Sequence, residues 1–278
     1  MGCRRAAASL GAALQVATAV LGLASGCRAT RTPVPFAQPS PALPDSGVLL
    51  ARVTSERRQI RGLRVLADSE IESPDGRFRS SEVLLVEPPA RLRIEVLSTF
   101  GVAWVLATDG DTLDVYSRQE ETVYRGRPTR DLADHYLPVP LPLADLTELL
   151  LGRPPRRAVS AVEPVAWEAE TGLMRVVLHL QGGGLQTLWF DGRTRLLRRC
   201  EERTWGDALR YDLRIDAHRQ VGDLLIPSDI TILAPTAVQV RLGYANCEIN
   251  PTLAPDLFRI PFVVGAREVR LDDPPPTP

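Results

Sequence analysis

The sequence predicts a mainly β protein of the α+β class: a half-open antiparallel β-barrel of about 10–11 strands covered by a helical lid. The first observation is that apolar and polar residues alternate in many short segments, as in half-buried strands. The second is that turn-forming residues separate these segments at short intervals, so neighbouring strands are expected to be antiparallel. The third is helical periodicity in the middle of the chain, where helices can cover the apolar face of a curled sheet.

The first predicted element is an amphipathic helix that runs to about Ile60. Asp45-Ser46 is a plausible N-cap, and Leu49, Val53 and Ile60 recur at helical spacing with Arg and Glu between them. After Gly62 the period changes to two, which indicates that strands begin there. Strands are expected at residues 63–68, 83–86, 91–96, 102–108, 112–116 and 123–124.

The middle of the chain predicts two helices, at residues 130–137 and 143–151. Pro142 stands at a helix start, and Gly152 is a natural residue just after a helix end. One apolar stripe on the second helix consists of Leu143, Leu146 and Leu150. Because strands precede and follow these helices, they are the expected cover of the sheet.

From Val159 onward the pattern is again that of strands. Gly182-Gly183-Gly184 and Asp191-Gly192 are turn signals between them. The strands are expected at residues 174–180, 196–204, 209–217, 224–233 and 238–249. Since no helix separates consecutive strands here, a parallel sheet is not expected.

The N-terminus has the order of a bacterial secretory signal. Arg4 and Arg5 are followed by the apolar segment 6–23 and by small residues that lead directly into Cys27. This arrangement resembles the lipobox of bacterial lipoproteins, although Ala24 stands where Leu is commonest. The resemblance implies cleavage before Cys27 and a diacylglyceryl group on its thiol, which anchors the protein to a membrane. An uncleaved 6–23 segment that serves as a membrane anchor is the alternative.

The chain therefore divides into four parts: a lipoprotein signal peptide at 1–26, a Pro-rich linker at 27–46, a folded domain at 47–271 and a disordered tail at 272–278. Arg28 follows the anchor position. Since Asp at that position is the usual inner-membrane retention signal in enteric bacteria, Arg28 is consistent with sorting to the outer membrane. The expected location is the outer membrane, lipid-anchored and facing the periplasm.

Net charge excludes a nucleic-acid partner. The formal charge is −1, and loss of Arg4 and Arg5 with the signal lowers it to −3, so no basic face is expected.

Cys200 and Cys247 are the thiols that remain once Cys3 is removed and Cys27 is acylated. Each cysteine lies an even number of positions from polar residues of its own strand, so both are expected on the outer face with those residues. In a simple meander their strands stand three apart, about 14 Å, beyond the ~7 Å that a disulfide allows. The sequence therefore predicts two unpaired or partly buried thiols, although an oxidising compartment permits a disulfide.

The sequence predicts no enzyme, no metal site and no cofactor. His135, His179 and His218 have too few partners to form a site. No nucleophile elbow, zinc-protease motif, P-loop or dinucleotide-binding fingerprint is present. Asp109-Gly110-Asp111 lacks the remaining ligand spacing of a calcium loop, so it predicts a hairpin turn.

Several short motifs together resemble the LolA/LolB family of periplasmic lipoprotein carriers and receptors. Their order and spacing, rather than any single motif, carry the resemblance, which spans residues 47–271. The motifs are Arg61-Gly62-Leu63, the segments 87–93, 97–101, 108–111, 124–126 and 141–152, and the late segments 248–251 and 258–261.

The resemblance implies an apolar cavity that holds acyl chains of a lipid or lipoprotein. The aliphatic pattern offers ten candidate lining residues: Val65, Leu92, Ile94, Leu106, Leu146, Leu150, Met174, Val176, Leu178 and Trp189. They form an ordinary core equally well, because a filled core and an empty cavity need the same residues. Phe100 best matches the exposed apolar residue with which the family's receptors insert lipoprotein into a bilayer; the alternative is a buried strand-end aromatic.

The expected partners are therefore the membrane, through diacylglyceryl-Cys27, the acyl chains of lipids or lipoproteins, and a periplasmic carrier protein. The alternative function is a non-carrier envelope module, such as a stress sensor or an assembly and docking protein, on the same fold.

Overall fold

The computed structural model describes residues 43–129, 135–139 and 141–271. Its helices are α1 (Ser46–Arg57), α2 (Leu143–Leu150) and a 3-10 helix at Pro255–Phe258. The strands are β1 (Leu63–Ser73), β2 (Gly76–Glu87), β3 (Arg91–Ser98), β4 (Gly101–Thr108), β5 (Leu113–Ser117), β6 (Thr122–Gly126), β7 (Val159–Val162), β8 (Ala166–Glu168), β9 (Leu173–Leu180), β10 (Leu185–Asp191), β11 (Leu197–Arg203), β12 (Leu209–Val221), β13 (Leu224–Leu233), β14 (Gln239–Ile249) and β15 (Arg267–Arg270).

The strands form one open sheet. The order is β15-β6-β5-β4-β3-β2-β1-β14-β13-β12-β11-β10-β9-β7, with β8 paired to β9. Two antiparallel meanders, β1–β6 and β9–β14, are thus joined through the β1–β14 pair. Within the described residues the sheet has 15 strands rather than the expected 10–11. β7, β8 and β15 are too short to show a pattern, and β10, between the turn signals at 182–184 and 191–192, is not among the expected strands. The expectation of purely antiparallel pairing is wrong at one place, since β15 runs parallel to β6.

The first hairpin is longer than the sequence pattern predicts. β1 and β2 continue to a turn at residues 74–75, so the polar segment 69–82 is largely strand. Alternation is hidden there because both faces are polar. Glu70 forms ion pairs with Arg77, Arg79 and Arg241 on one face, and Ser69 and Ser80 occupy the other.

Helices α1 and α2 agree with the sequence prediction. The Asp45 carboxylate caps α1 by accepting hydrogen bonds from the Gly47 and Val48 amides, at 2.8 and 3.1 Å. Gly152 follows α2 with φ +72°, as expected for the residue that ends a helix. The predicted helix at 130–137 lies mostly outside the described residues, but its last part, His135 and Tyr136, is helical.

Helix α2 is buried on most of its surface, not along one stripe alone. Its acidic residues can be buried because arginines neutralise them. The Arg157 guanidinium donates to Asp145 of α2 at 2.8 Å and to Glu202 of β11 at 2.7 and 2.9 Å. Arg157 thus connects the helix to the second meander of the sheet.

The two thiols are free, as predicted, and their strands β11 and β14 stand three apart in the sheet. The expected position of Cys200 on the outer face is wrong. Its sulfur is buried, 3.7 Å from the Tyr211 hydroxyl, and burial raises the pKa of the thiol to about 12. The expectation assumed that Glu202, two positions along β11 and on the same face as Cys200, meets solvent. Glu202 is itself buried beside Arg157.

Candidate functional site

An apolar cavity of about 270 Å³ lies between the inner face of the sheet and the segment that contains α2. Leu146 and Leu150 of α2 and residues 136–139 form one wall. The main contributors from the sheet are Ile71, Leu84, Ile94, Val96, Trp104 and Leu242. The cavity is larger than the ~150 Å³ apolar cavity in another protein that binds benzene. It is partly open, so a hydrocarbon chain can reach it from outside.

Three contacts hold α2 in position over the sheet. The Thr147 hydroxyl donates to the carbonyl of Pro89 at 2.8 Å, and the Tyr244 hydroxyl donates to the carbonyl of Leu150 at 3.1 Å. The third is the Asp145–Arg157 ion pair. None of these contacts uses the side chains of Leu146 and Leu150, which form the cavity wall.

The structure brings only some of the predicted lining residues to this cavity. Ile94, Leu146 and Leu150 line it. Six of the others are packed in the hydrophobic core and do not line it: Val65, Leu92, Leu106, Met174, Val176 and Leu178. Trp189 lies elsewhere, with its indole N–H donating to Glu168 at 2.9 Å and the Arg199 guanidinium 4.4 Å above its ring.

Glu82 is a lining residue that the sequence analysis missed, and only 9% of it is exposed. Its Oε1 accepts hydrogen bonds from the Ser69 hydroxyl at 2.6 Å and from the Ser80 hydroxyl at 3.1 Å. Burial raises the pKa of this carboxyl, and the two hydroxyl donors oppose the shift. A signal was present in the sequence, because Glu82 has the parity of Leu84 and Val86, which point inward.

Phe100 lies at the turn between β3 and β4 and is 82% exposed. The Ser98 hydroxyl accepts from the Phe100 amide at 3.3 Å and donates to the Gly101 carbonyl at 2.7 Å, which fixes the turn. The side chain is therefore not the buried strand-end aromatic of the alternative interpretation. Its role at a membrane stays a prediction.

Several turns lie at the same end of the sheet as Phe100, here called the tip end. The β1–β2, β3–β4, β5–β6 and β11–β12 connections all lie there, because the antiparallel register alternates strand directions across the sheet. The chain also enters β15 at this end, since β15 is parallel to β6.

The tip end carries exposed apolar side chains, here called the apolar rim. It includes the four most exposed large apolar residues of the described chain, which are Phe100, Trp205, Phe262 and Val264. Phe78, which is also exposed, is its fifth member. Phe78 of β2 pairs with Ile71 of β1, and Ile71 lines the cavity. The apolar rim and the cavity are thus adjacent along the first hairpin.

No group of three or more His, Cys, Asp or Glu side chains in the described residues is arranged to hold a metal ion. The three histidines lie on separate elements. His179 of β9 contacts Glu163 at 2.9 Å, and His135 packs edge-on against Tyr136. His218 follows the strand expected at residues 209–217 but lies within β12, because that strand continues to Val221. Among the described helices, none has the length and apolar character needed to span a bilayer.

Comparison with known proteins bears on the fold. No protein-family model matches the chain, and no curated protein matches it in sequence. Solved structures do match. A LolA superfamily protein from Nitrosomonas europaea has a TM-score of 0.52 and 12% identity, over 78% of this chain and 99% of that one. The fold is LolA/LolB-like.

Two further structures agree with the LolA/LolB-like fold. A DUF1329 family protein from Desulfovibrio piger has a TM-score of 0.57 and 13% identity, over 76% of this chain and 95% of that one. A domain from Vibrio parahaemolyticus, described as an outer membrane lipoprotein-sorting protein, has a TM-score of 0.53 and 11% identity, over 74% and 94%. At these identities the likeness establishes the fold alone.

Proposed function

We propose that this protein binds acyl chains of lipoproteins or lipids in the cavity beneath α2, and that it moves or inserts them at the outer membrane. The observation that carries the proposal is the cavity itself: about 270 Å³, partly open and lined almost entirely by apolar side chains. Each methylene transferred from water to such a site contributes about 0.8 kcal/mol. Ten methylenes supply about 8 kcal/mol, equivalent to micromolar affinity before ordering costs.

In this proposal α2 and residues 136–139 act as the lid of the half-open barrel. They line one side of the cavity while the sheet lines the other. The apolar rim is the surface that meets the bilayer, and Phe100 lies on it at the turn between β3 and β4. The diacylglyceryl group on Cys27 keeps the protein at the outer membrane. A periplasmic carrier is the donor that such a receptor needs.

The test is native mass spectrometry of the mature chain, residues 27–278 with Cys27→Ala, purified gently from a membrane-rich lysate. A lipid adduct is expected, and its mass identifies the ligand class. The variant Val96→Trp, which places an indole in the cavity, should lose the adduct, whereas Val162→Trp on β7, away from the cavity, should keep it. A clean apo mass for the parent protein contradicts the carrier proposal.

The apolar rim also favours a second candidate, an envelope module that docks onto a partner with that surface. Docking through its four most exposed residues would not require a ligand in the cavity. A protein with an apo mass in the same experiment, but with rim-dependent capture of a protein partner, would indicate this function instead.

A further inference from the structure

Glu82 is the only Asp, Glu, Arg or His side chain among the described residues that line the cavity. It lies in the middle of the sheet wall. Ile71, Val240 and Ile232 lie on the side toward the apolar rim, and Leu84 and Ile94 lie on the other side. A polar group at this position interrupts an otherwise continuous apolar surface.

Other buried carboxylates of the described chain are paired with arginine. Asp114 contacts Arg125 at 2.9 Å and Arg259 at 3.2 Å. The same holds for the pairs Asp145–Arg157, Glu148–Arg153, Glu202–Arg157 and Asp212–Arg199. This pattern is expected, because a buried carboxylate without a countercharge is costly.

Glu82 departs from that pattern. It forms no ion pair with a described residue; its contacts are the two serine hydroxyls on Oε1, and Oε2 accepts no hydrogen bond from the described chain. The two serines also contact each other at 2.8 Å, so they hold the carboxyl in one orientation. A carboxyl that is fixed in a cavity wall, with one oxygen unused, is a preorganised acceptor for a ligand.

We propose that Glu82 recognises a protonated amine, so that the cavity takes a long-chain amphiphile with an ammonium group on or next to its alkyl chain. This inference rests on the proposed function, because it names the class of ligand for the same cavity. The ammonium supplies the countercharge that the other buried carboxylates obtain from arginine. It donates to Oε2 of Glu82, while the alkyl chain lies against Leu84, Ile94 and the leucines of α2.

The same geometry disfavours a fatty-acid anion. Its carboxylate would stand beside Glu82 in a poorly solvated site, where like charges repel or one of them must take up a proton. Chain length alone gives both amphiphiles the same hydrophobic contribution. A difference in affinity between an amine and an acid of equal length therefore measures the contribution of Glu82, and not that of the apolar cavity wall.

The experiment measures displacement of a neutral fluorescent probe, N-phenyl-1-naphthylamine, from the mature Cys27→Ala chain at pH 7. The competitors are dodecylammonium, dodecyltrimethylammonium and dodecanoate, each below its micelle concentration. Dodecylammonium should bind at least about tenfold more tightly than dodecanoate. It should also bind more tightly than dodecyltrimethylammonium, which has the charge but no N–H donor. This comparison needs no variant of the protein.

The variant Glu82→Gln should lose the preference for dodecylammonium and keep binding of the neutral probe. Glu95→Gln is the matched control, because Glu95 is on the neighbouring strand β3 and pairs with Arg93 instead. Equal affinity for all three competitors, unchanged in Glu82→Gln, overturns the inference but leaves the cavity as an acyl-binding site. If neither the probe nor any competitor binds, the proposed function fails and the inference with it.

Discussion

His218 shows how burial without a countercharge affects a single residue. Its ring is half-buried on β12, and its Nε2 has no hydrogen-bond partner in the described chain. Burial, assisted by the positive charges of Arg57 and Arg198, lowers the pKa of His218 to about 4. Between the ordinary value of 6.5 and this value the unfolded chain binds the proton and the folded chain does not. Folding stability should therefore fall as the pH is lowered through this window.

His218→Gln should remove that part of the acid sensitivity. Between pH 7 and pH 4.5 the parent should lose about 1–3 kcal/mol more of its free energy of unfolding than the variant. The measurement is urea unfolding at both pH values, with constant m-values as a check on two-state behaviour. His179→Gln is the control for loss of an exposed histidine. An equal loss in parent and His218→Gln would contradict the burial argument.

Residue by residue, the sequence predicts which side chains are buried better than it predicts what they face. Leu146 and Met174 are both buried, as their periodicity indicates, but only Leu146 lines the cavity. The difference depends on where α2 crosses the sheet, which no local pattern encodes. Glu82 could have been noticed by its inward parity, whereas the absence of an arginine partner among the described residues depends on distant parts of the chain.

At the scale of elements, Arg157 connects α2 to the sheet. Its guanidinium lies between the carboxylates of Asp145 and Glu202, both nearly fully buried. Arg157→Leu would leave the buried Asp145 carboxylate without a countercharge, while Glu202 would keep only Arg210, at an expected cost of about 3–5 kcal/mol in unfolding free energy. Thermal unfolding of the variant should show the loss, and Arg156→Leu, an exposed neighbour, should change stability by about 0.5 kcal/mol or less.

The same variant tests whether α2 is held over the cavity by this ion pair. If Arg157→Leu still folds at low temperature, the neutral probe should bind it more weakly than the parent, because a wall of the cavity is less fixed. Probe affinity equal to that of the parent, despite lost stability, would show that Thr147 and Tyr244 suffice to position the helix.

Asp114 has the corresponding role for the C-terminal segment. Its Oδ2 accepts from Arg125, from Arg259 and, at 2.9 Å, from the Ile260 amide, so one carboxylate joins β5 and β6 to the chain before β15. Asp114→Ala should release this segment. Trypsin should then cleave after Arg259 or Arg267 at least tenfold faster than in the parent, as followed by mass spectrometry. Asp111→Ala, on the exposed β4–β5 turn, should leave the cleavage rate unchanged.

The sequence predicted the helices and most long strands because each has its own period or cap. It did not predict β15, whose four residues are mostly exposed. The segment before β15 is held by Asp114, which lies more than 140 positions from the amide that it binds. Long-range polar contacts of this kind leave no trace in local periodicity, so this edge strand was not predicted.

At the scale of the whole molecule, the apolar rim is a collective feature. Its members come from separate turns, and only the antiparallel register brings them to one end. Scattered exposed apolar residues are ordinary on protein surfaces, whereas the four most exposed of the described residues all lie at one end. We expect several separate aromatic tips to fit a bilayer, because a bilayer needs no continuous groove.

The rim predicts vesicle binding that does not need the lipid anchor. The mature Cys27→Ala chain should float with phosphatidylcholine vesicles, and Phe100→Ser with Trp205→Ser should weaken binding at least tenfold, since an inserted aromatic contributes up to about 1.5–3 kcal/mol. Val48→Ser, which removes an exposed apolar side chain from helix α1 rather than from the apolar rim, is the control. Equal loss in Val48→Ser would mean that exposed hydrophobicity in general, rather than the tip end, drives association. No flotation of the parent would exclude the rim as a bilayer-binding surface and leave a protein partner as its ligand.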